Sequence, residues 1–278
     1  MKCFPNLPYL LLAAVILISC SEEDPLPDPG PNPNAQIVKE DAEINAAFTD
    51  TDNIALFALS ANGQGLRTQV EFVGDLCAEA EVTHFPDERR IVVDFKEGCT
   101  SANGLVRKGK LLIDYTGVIL FPGASVTVNF ENYHVNGVKI EGTRTSTNRG
   151  INLNEGTITF ETIVNNGRLT WEDGSQATVA INHSRKFILP GEDEGIRAEI
   201  TGTTSGNSRT GVAFNAEISE ALVFFQNCTN TGNWIPSQGK SLITISQAFL
   251  FEVDYGTGEC DREITVRLEG ETITLTLD

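Results

Sequence analysis

Histidine occurs three times in 278 residues and methionine once. No HExxH, no paired CxxC and no GxxxxGK[ST] occurs, so the usual marks of a zinc protease, a zinc ribbon or a phosphate-cradling loop are missing. His84, His134 and His183 lie more than forty residues apart. Ser184 adjoins His183, yet no nucleophile elbow accompanies them. Basic residues are also scarce, 20 Lys and Arg against 38 Asp and Glu, for a net charge of −18. A body so acidic has no basic patch with which to hold nucleic acid or anionic headgroups. The acidic stretches DTDN at 50–53 and GEDEG at 191–195 crowd oxygen ligands together, but neither has the twelve-residue spacing of a calcium loop. Both read as solvated turns. The remaining acids offer many pairs for glycoside hydrolysis, but only spatial separation could select one. No catalytic residue, cofactor or metal ligand is assigned.

What the chain does have begins at its amino terminus. Lys2 is followed by an apolar run from Tyr9 to Ile18 and then by the small Ser19. That run is too short to span a bilayer and reads as a secretory signal peptide over residues 1–19. The next residue, Cys20, is followed by the acids Glu22, Glu23 and Asp24, with no basic stop-transfer cluster. From Pro25 to Pro33 every second residue is proline, which favours extended backbone and removes donors. Residues 20–34 therefore read as an anchor and a stalk, and residues 21–34 could reach about 40 Å.

The four residues Leu17, Ile18, Ser19 and Cys20 resemble a bacterial lipobox. That resemblance implies that Cys20 is lipidated on its sulfur and becomes the acylated amino terminus after cleavage. The SEED run is similar to the export signal of Bacteroidota lipoproteins, which implies an outer-membrane protein facing the cell exterior. The whole chain resembles secreted all-β lipoproteins of that group, including the C-terminal Gly258, Glu259, Cys260, Asp261. That resemblance implies no established activity. Cleavage would leave 19 basic against 38 acidic residues, a net charge of −19.

The roughly 244 residues after the stalk suffice for one large β domain or two smaller ones. Residues 35–62 are the exception to a strand-rich texture. Ile37, Ile44, Phe48, Ile54 and Phe57 recur at mixed helical steps, broken in the middle by DTDN. This predicts two short helices ending at Asn62-Gly63 and covering one face or end of a sheet. From 63 to 278 short runs alternate with period two between Gly and Asn turns, among them VNG at 135–137, NNG at 165–167 and EDG at 172–174. They predict an all-β antiparallel meander of about fifteen strands, too wide for one flat sheet and therefore packed as a sandwich, a barrel or paired curved sheets.

Four body cysteines remain, Cys77, Cys99, Cys228 and Cys260, which an oxidising compartment would pair in one of three ways. An internal echo selects a pairing. Cys77 follows VEFVGDL and Cys228 follows ALVFFQN, while Cys99 follows VDFKEG and Cys260 follows VDYGTGE. Ten residues beyond each second cysteine stands a glycine, Gly109 or Gly270, suited to a hairpin turn. IEGTRTSTNRG from Ile140 likewise resembles ITGTTSGNSRTG from Ile200. The expectation is Cys77–Cys99 and Cys228–Cys260 in two echoing parts, roughly 63–135 and 200–278, around a middle meander.

Function is left to loops and concavities. Trp234, in the Gly-Asn-Pro-rich CTNTGNWIPSQG, could present a flat apolar face to a sugar ring or a protein. Trp171 at a strand end reads as core. The leading expectation is a surface-tethered, non-catalytic binding or adhesion module for an extracellular glycan or protein, attached to the membrane through Cys20. The alternative is an envelope lipid carrier or assembly factor with an apolar cavity, and a glycan or ester hydrolase comes last.

Overall fold

A computed structural model of the chain describes residues 33–65, 76–102, 104–189, 195–233, 235–268 and 270–277. Cys20 and Trp234 lie outside the described residues, as do GEDEG up to Glu194 and the VEF run.

One helix precedes the sheet. Helix α1 spans Pro33–Ala61 without interruption, so it begins two residues inside the stretch assigned to the stalk and does not break at DTDN. Asp, Thr and Asn favour turns because their side chains compete for local backbone groups. Here those side chains are occupied elsewhere. Asp50 is bound by Arg107 and Asp52 by Arg144 and Arg185, while the Thr51 hydroxyl folds back onto the Phe48 carbonyl at 2.8 Å. The helix stops where the sequence said it would. Gln64 N donates to Leu59 O and Gly63 N to Ser60 O, with Gly63 left-handed at φ 76°, which is the paired carbonyl capping of a Schellman end.

The strands are β1 (Glu81–Phe85), β2 (Arg90–Asp94), β3 (Cys99–Thr100), β4 (Val106–Tyr115), β5 (Ser125–Val135), β6 (Val138–Asn152) and β7 (Thr157–Thr170). They continue as β8 (Gln176–Ile188), β9 (Arg197–Asn207), β10 (Ala213–Phe225), β11 (Gln238–Ile245), β12 (Phe249–Thr257), β13 (Glu263–Leu268) and β14 (Glu271–Thr276). A short helix α2, Gln226–Asn230, lies in the β10–β11 connection. Every strand pairs antiparallel with its sequence neighbours except at β3, which pairs with β4 while β2 passes it by to reach β4. The body is thus the all-β meander that the alternation predicts, and its fourteen described strands belong to one hydrogen-bonded sheet.

So wide a sheet must curl, and α1 occupies its concave side. Strand β8 shows the two faces plainly, alternating exposed and buried from Gln176 to Phe187. Inward side chains from β2 through β13 form a single core with α1, including Ile91, Ile113, Val128, Ile181, Ile243 and Val266. Contacts to the helix come from β4, β5, β6, β8 and β9 in turn. Along α1, Ile37, Ile44, Phe48, Ile54 and Ala58 are fully enclosed. Glu43, Ala46, Asp50 and Asn53 follow one another at three and four residues, so they share one stripe, and that stripe is only half-buried.

Two of the expected turns are instead the bends that help the sheet curl. Gly109, read as a hairpin glycine, lies within β4 at φ 83°, where the register shifts against β5. A Cβ there would stand 2.1 Å from the Asn132 carbonyl oxygen, so the bulge requires glycine. NNG at 165–167 is likewise a bulge within β7. Gly270 does turn a hairpin, between β13 and β14, and VNG and EDG close the β5–β6 and β7–β8 hairpins. The echo therefore extends to the cysteines but not to these two glycines.

The disulfides form as the echo predicts, Cys77–Cys99 with Cα atoms 6.0 Å apart and Cys228–Cys260 at 4.9 Å. The first ties the lead-in to β1 onto β3. The second fixes α2 to the β12–β13 connection.

Candidate functional site

A charged spine joins α1 to alternate strands of the sheet. Arg107 of β4, 1% exposed, grips Asp50 through Nη2–Oδ1 at 2.6 Å and Nε–Oδ2 at 2.8 Å. The Tyr133 hydroxyl donates to the same carboxylate at 3.4 Å. Burial and the neighbouring Asp50 charge push the Tyr133 pKa well above its ordinary value. Arg144 of β6 binds Asp52 through both Nε and Nη2 at 2.5 Å, and Arg185 of β8 reaches the Asp52 Oδ2 as well. Burial works to raise the Asp52 pKa, but the two guanidiniums outweigh it and hold the carboxylate ionised below its usual range. The cations also lie over aromatic faces, Arg144 over Phe48 at 5.7 Å and Arg185 over Phe187 at 5.1 Å, where the ring quadrupole favours them.

His183 sits inside this spine. Its Nε2 is 3.1 Å from Thr204 Oγ1, whose hydroxyl donates to Asn45 Oδ1. The imidazole must therefore supply the proton of the His183–Thr204 bond, which puts hydrogen on Nε2. Burial first, then the Arg144 and Arg185 charges, lower the His183 pKa to about 3, so the ring is neutral. Ser184 points to the opposite face of β8 and is exposed. His84 bonds the Tyr115 hydroxyl and His134 the Asn132 carbonyl, so the structure does not bring any of the three beside a serine among the described contacts.

Beside the spine lies a cleft of about 320 Å³. Its floor is the half-buried stripe of α1, with Glu43, Ala46, Asp50 and Asn53. Its apolar lining is Leu105, Val135, Val138, Leu169, Trp171 and Phe224. The rest is polar, with Asn136 from the β5–β6 turn and Thr229 and Asn233 from the α2 connection. Several of these groups are held in place. Asn136 Oδ1 accepts from Val106 N, and Asn233 Nδ2 donates to Asp261 O at 2.6 Å. Trp171 has the Arg209 guanidinium 4.5 Å from its ring centre, itself bound to Asp173 and Ser175. Trp171 thus leans on the core, as expected, and also faces the cleft. The Cys228–Cys260 bridge anchors the segment that carries Thr229 and Asn233.

Little of this site is marked in the sequence. Trp234 is outside the described residues, though its neighbour Asn233 lines the cleft. DTDN is no solvated turn: Asp50 and Asn53 form cleft floor, and Asp52 is 6% exposed. Cys77, Glu79 and Cys99 stand within 4.8 Å of one another, but both sulfurs are committed to the disulfide. Among the described residues no helix is long and apolar enough to cross a membrane.

No protein-family model, curated protein or solved structure matches the chain. The protein is an antiparallel β meander curled about a helix, with a mixed-polarity cleft on the part of the helix left half-covered.

Proposed function

We propose that the protein is a non-catalytic binding lipoprotein of the outer membrane, held by lipid on Cys20, facing the cell exterior and receiving a glycan unit in the α1 cleft. The observation that carries this reading is the cleft lining. Trp171 and its apolar neighbours share the lining with the hydrogen-bonding groups of Asp50, Asn53, Asn136 and Asn233. A hydroxyl-rich ring needs that combination of an aromatic platform with several orienting amides and carboxylates. The volume is at the small end of ligand pockets, which run from about 300 to 1,000 Å³. It suits one or two sugar units inserted from a longer chain.

The apolar lining also favours a second reading, an envelope carrier that takes an acyl chain. One experiment separates the two. The mature lipoprotein in detergent is screened on a glycan array and titrated with a fluorescent fatty acid, alongside Ala46→Trp, which fills the cleft from its floor. The expected result is glycan binding that Ala46→Trp removes. Saturable fatty-acid binding that Ala46→Trp removes would establish the carrier instead, and binding indifferent to Ala46→Trp would place the ligand elsewhere.

A further inference from the structure

A second hollow, of about 60 Å³, adjoins the cleft along the same stretch of α1. Thr49, Asn53, Phe224 and Thr229 line both spaces, so these four residues form the border, and a ligand lying across it touches both. Both spaces are open to solvent, so nothing has to move for a ligand to cross. Beyond the border the hollow is lined by Phe187 near the end of β8, Ile196 and Ala198 at the entry to β9, and Phe225 and Gln226 where β10 passes into α2. Most of the surface that it exposes is apolar.

The two spaces offer different chemistry. The cleft holds the carboxylates of Glu43 and Asp50, whereas among the described residues no acid lines the hollow. Its one charged lining residue, Arg185, is 4% exposed, with Nη1 bound to Asp52 and Nη2 to Asn53 Oδ1 at 3.5 Å, so it presents little charge to a ligand. Gln226 Oε1 accepts from Ile196 N at 2.9 Å, and the Thr229 hydroxyl donates to the Gln226 carbonyl at 3.0 Å. With these polar atoms engaged inside the protein, the hollow meets a ligand chiefly through its phenylalanines, Ile196 and Ala198. Such a surface rewards the removal of alkyl groups from water and penalises a hydroxyl that finds no partner.

We propose that this hollow is a subsite for a short apolar substituent, an acyl or alkyl group of about four carbons, carried by the sugar unit bound in the cleft. The inference rests on the glycan reading of the cleft. The length follows from the space, which holds about four water-sized groups. A longer lipid tail would run out of the hollow into solvent. Each fully buried methylene should tighten binding about fourfold. An open hollow covers only part of each, so three added carbons should contribute a gain of about tenfold.

The test uses the mature lipoprotein, methyl-labelled at alanine and isoleucine, in phospholipid nanodiscs free of alkyl detergent. It is titrated with methyl, butyl and octyl β-glycosides of glucose, galactose and N-acetylglucosamine. The expected result is a butyl glycoside that shifts the methyl resonances of Ala46 in the cleft and of Ile196 and Ala198 in the hollow together. It should bind about tenfold tighter than its methyl counterpart, with no further gain for octyl. Ala198→Leu fills the hollow and should remove the butyl advantage while leaving the methyl glycoside bound as before. If that variant fails to fold, Phe225→Ala, which strips one half-buried side chain from the lining, should reduce the same advantage. Equal affinity for methyl and butyl compounds, with Ile196 and Ala198 unmoved while Ala46 shifts, would overturn the subsite and leave the glycan reading standing. Affinity that climbs on through octyl would overturn the short-chain assignment, and an Ala46 resonance unmoved by every glycoside would remove the glycan reading and the subsite with it.

Discussion

Asp41 and His183 are buried ionisable groups whose effects on stability run in opposite directions with pH. Asp41 is 2% exposed, its charge adds to the burial that raises the Tyr255 pKa, and its Oδ1 has no protein donor among the described residues. Burial raises its pKa from 3.8 to about 7, against a lowering hydrogen bond from Asn45. Between those two pH values the folded chain holds a proton that the unfolded chain has released, so stability falls as pH rises, by about 1.36 kcal/mol per pH unit. Across the full interval the loss is about 4 kcal/mol. His183 does the reverse. With its pKa lowered from 6.5 to about 3, the unfolded chain binds the proton that the folded chain refuses, and stability rises with pH at about the same rate. From about pH 4.5 to 6.5 the two slopes cancel. Asp41→Asn should expose the histidine slope, and His183→Gln, which keeps an N–H for Thr204, should expose the aspartate slope. Urea unfolding at half-unit intervals from pH 4.5 to 8 measures both. The stability of Asp41→Asn relative to wild type should climb by about 3 kcal/mol between pH 4.5 and 7. A difference that stays constant with pH would refute the raised pKa that burial gives the Asp41 carboxyl.

Two further predictions concern the bridges and the anchor. Replacing Cys228 and Cys260 together with serine opens a loop with sequence separation 32, which loop entropy values at about 3.5 kcal/mol, equivalent to a melting temperature lower by about 7–14 °C in calorimetry. A loss under 1 kcal/mol would show that α2 is held without the bridge, and ligand binding should weaken alongside stability because the same segment carries Thr229 and Asn233. Cys20→Ala should give an unacylated chain that fractionates away from membranes, as mass spectrometry of the amino terminus would show, and protease added to intact cells should digest the wild-type body. Full protection from protease would place the body on the periplasmic side.

The strands were legible because their cause is local. Inward and outward positions differ in polarity, so the period of two appears in the sequence wherever a strand runs, as it does from Gln176 to Phe187. The helix end at Asn62-Gly63 was legible for the same reason, since a left-handed glycine caps its own helix. The middle of α1 was not. The acids of DTDN are met within the helix by Arg107, Arg144 and Arg185 from 57 to 133 residues away, and no window of sequence contains both partners. A trace of the arrangement does exist. Arg185 has the same parity along β8 as Ile181 and Phe187, so a charge stands in phase with the buried positions. A cation on the inward face calls for a buried acid, and α1 supplies acids at helical spacing. The cleft had no such trace, because its lining is drawn from six separate segments and depends on how far the sheet curls. Gly109 and NNG were misread because a left-handed residue serves a bulge as readily as a turn, and the difference lies in whether the strand resumes pairing afterwards.

The spine also bears on what fixes α1 within so large a concavity. An apolar helix against an apolar trough could slide by a turn at modest cost, since methyl groups match many positions. Asp50 and Asp52 allow one axial position, because each must meet arginines of fixed register on β4, β6 and β8. The two contributions can be distinguished. Asp52→Leu alone strands two buried guanidiniums and should cost about 3–5 kcal/mol in urea unfolding. Replacing Asp52, Arg144 and Arg185 together by Leu, Met and Met removes the buried charges around Asp52 and, if the ions contribute position more than energy, should fall within about 1 kcal/mol of wild type or exceed it. With Asp50→Leu and Arg107→Met added, so that no ion pair holds the helix in register, α1 should then lose its single arrangement, seen as extra or broadened amide resonances for residues 43–56. A triple variant as unstable as Asp52→Leu would mean that the ion cluster is needed for stability itself, and a fivefold variant with a single sharp set of α1 resonances would mean that apolar packing alone sets the position of the helix.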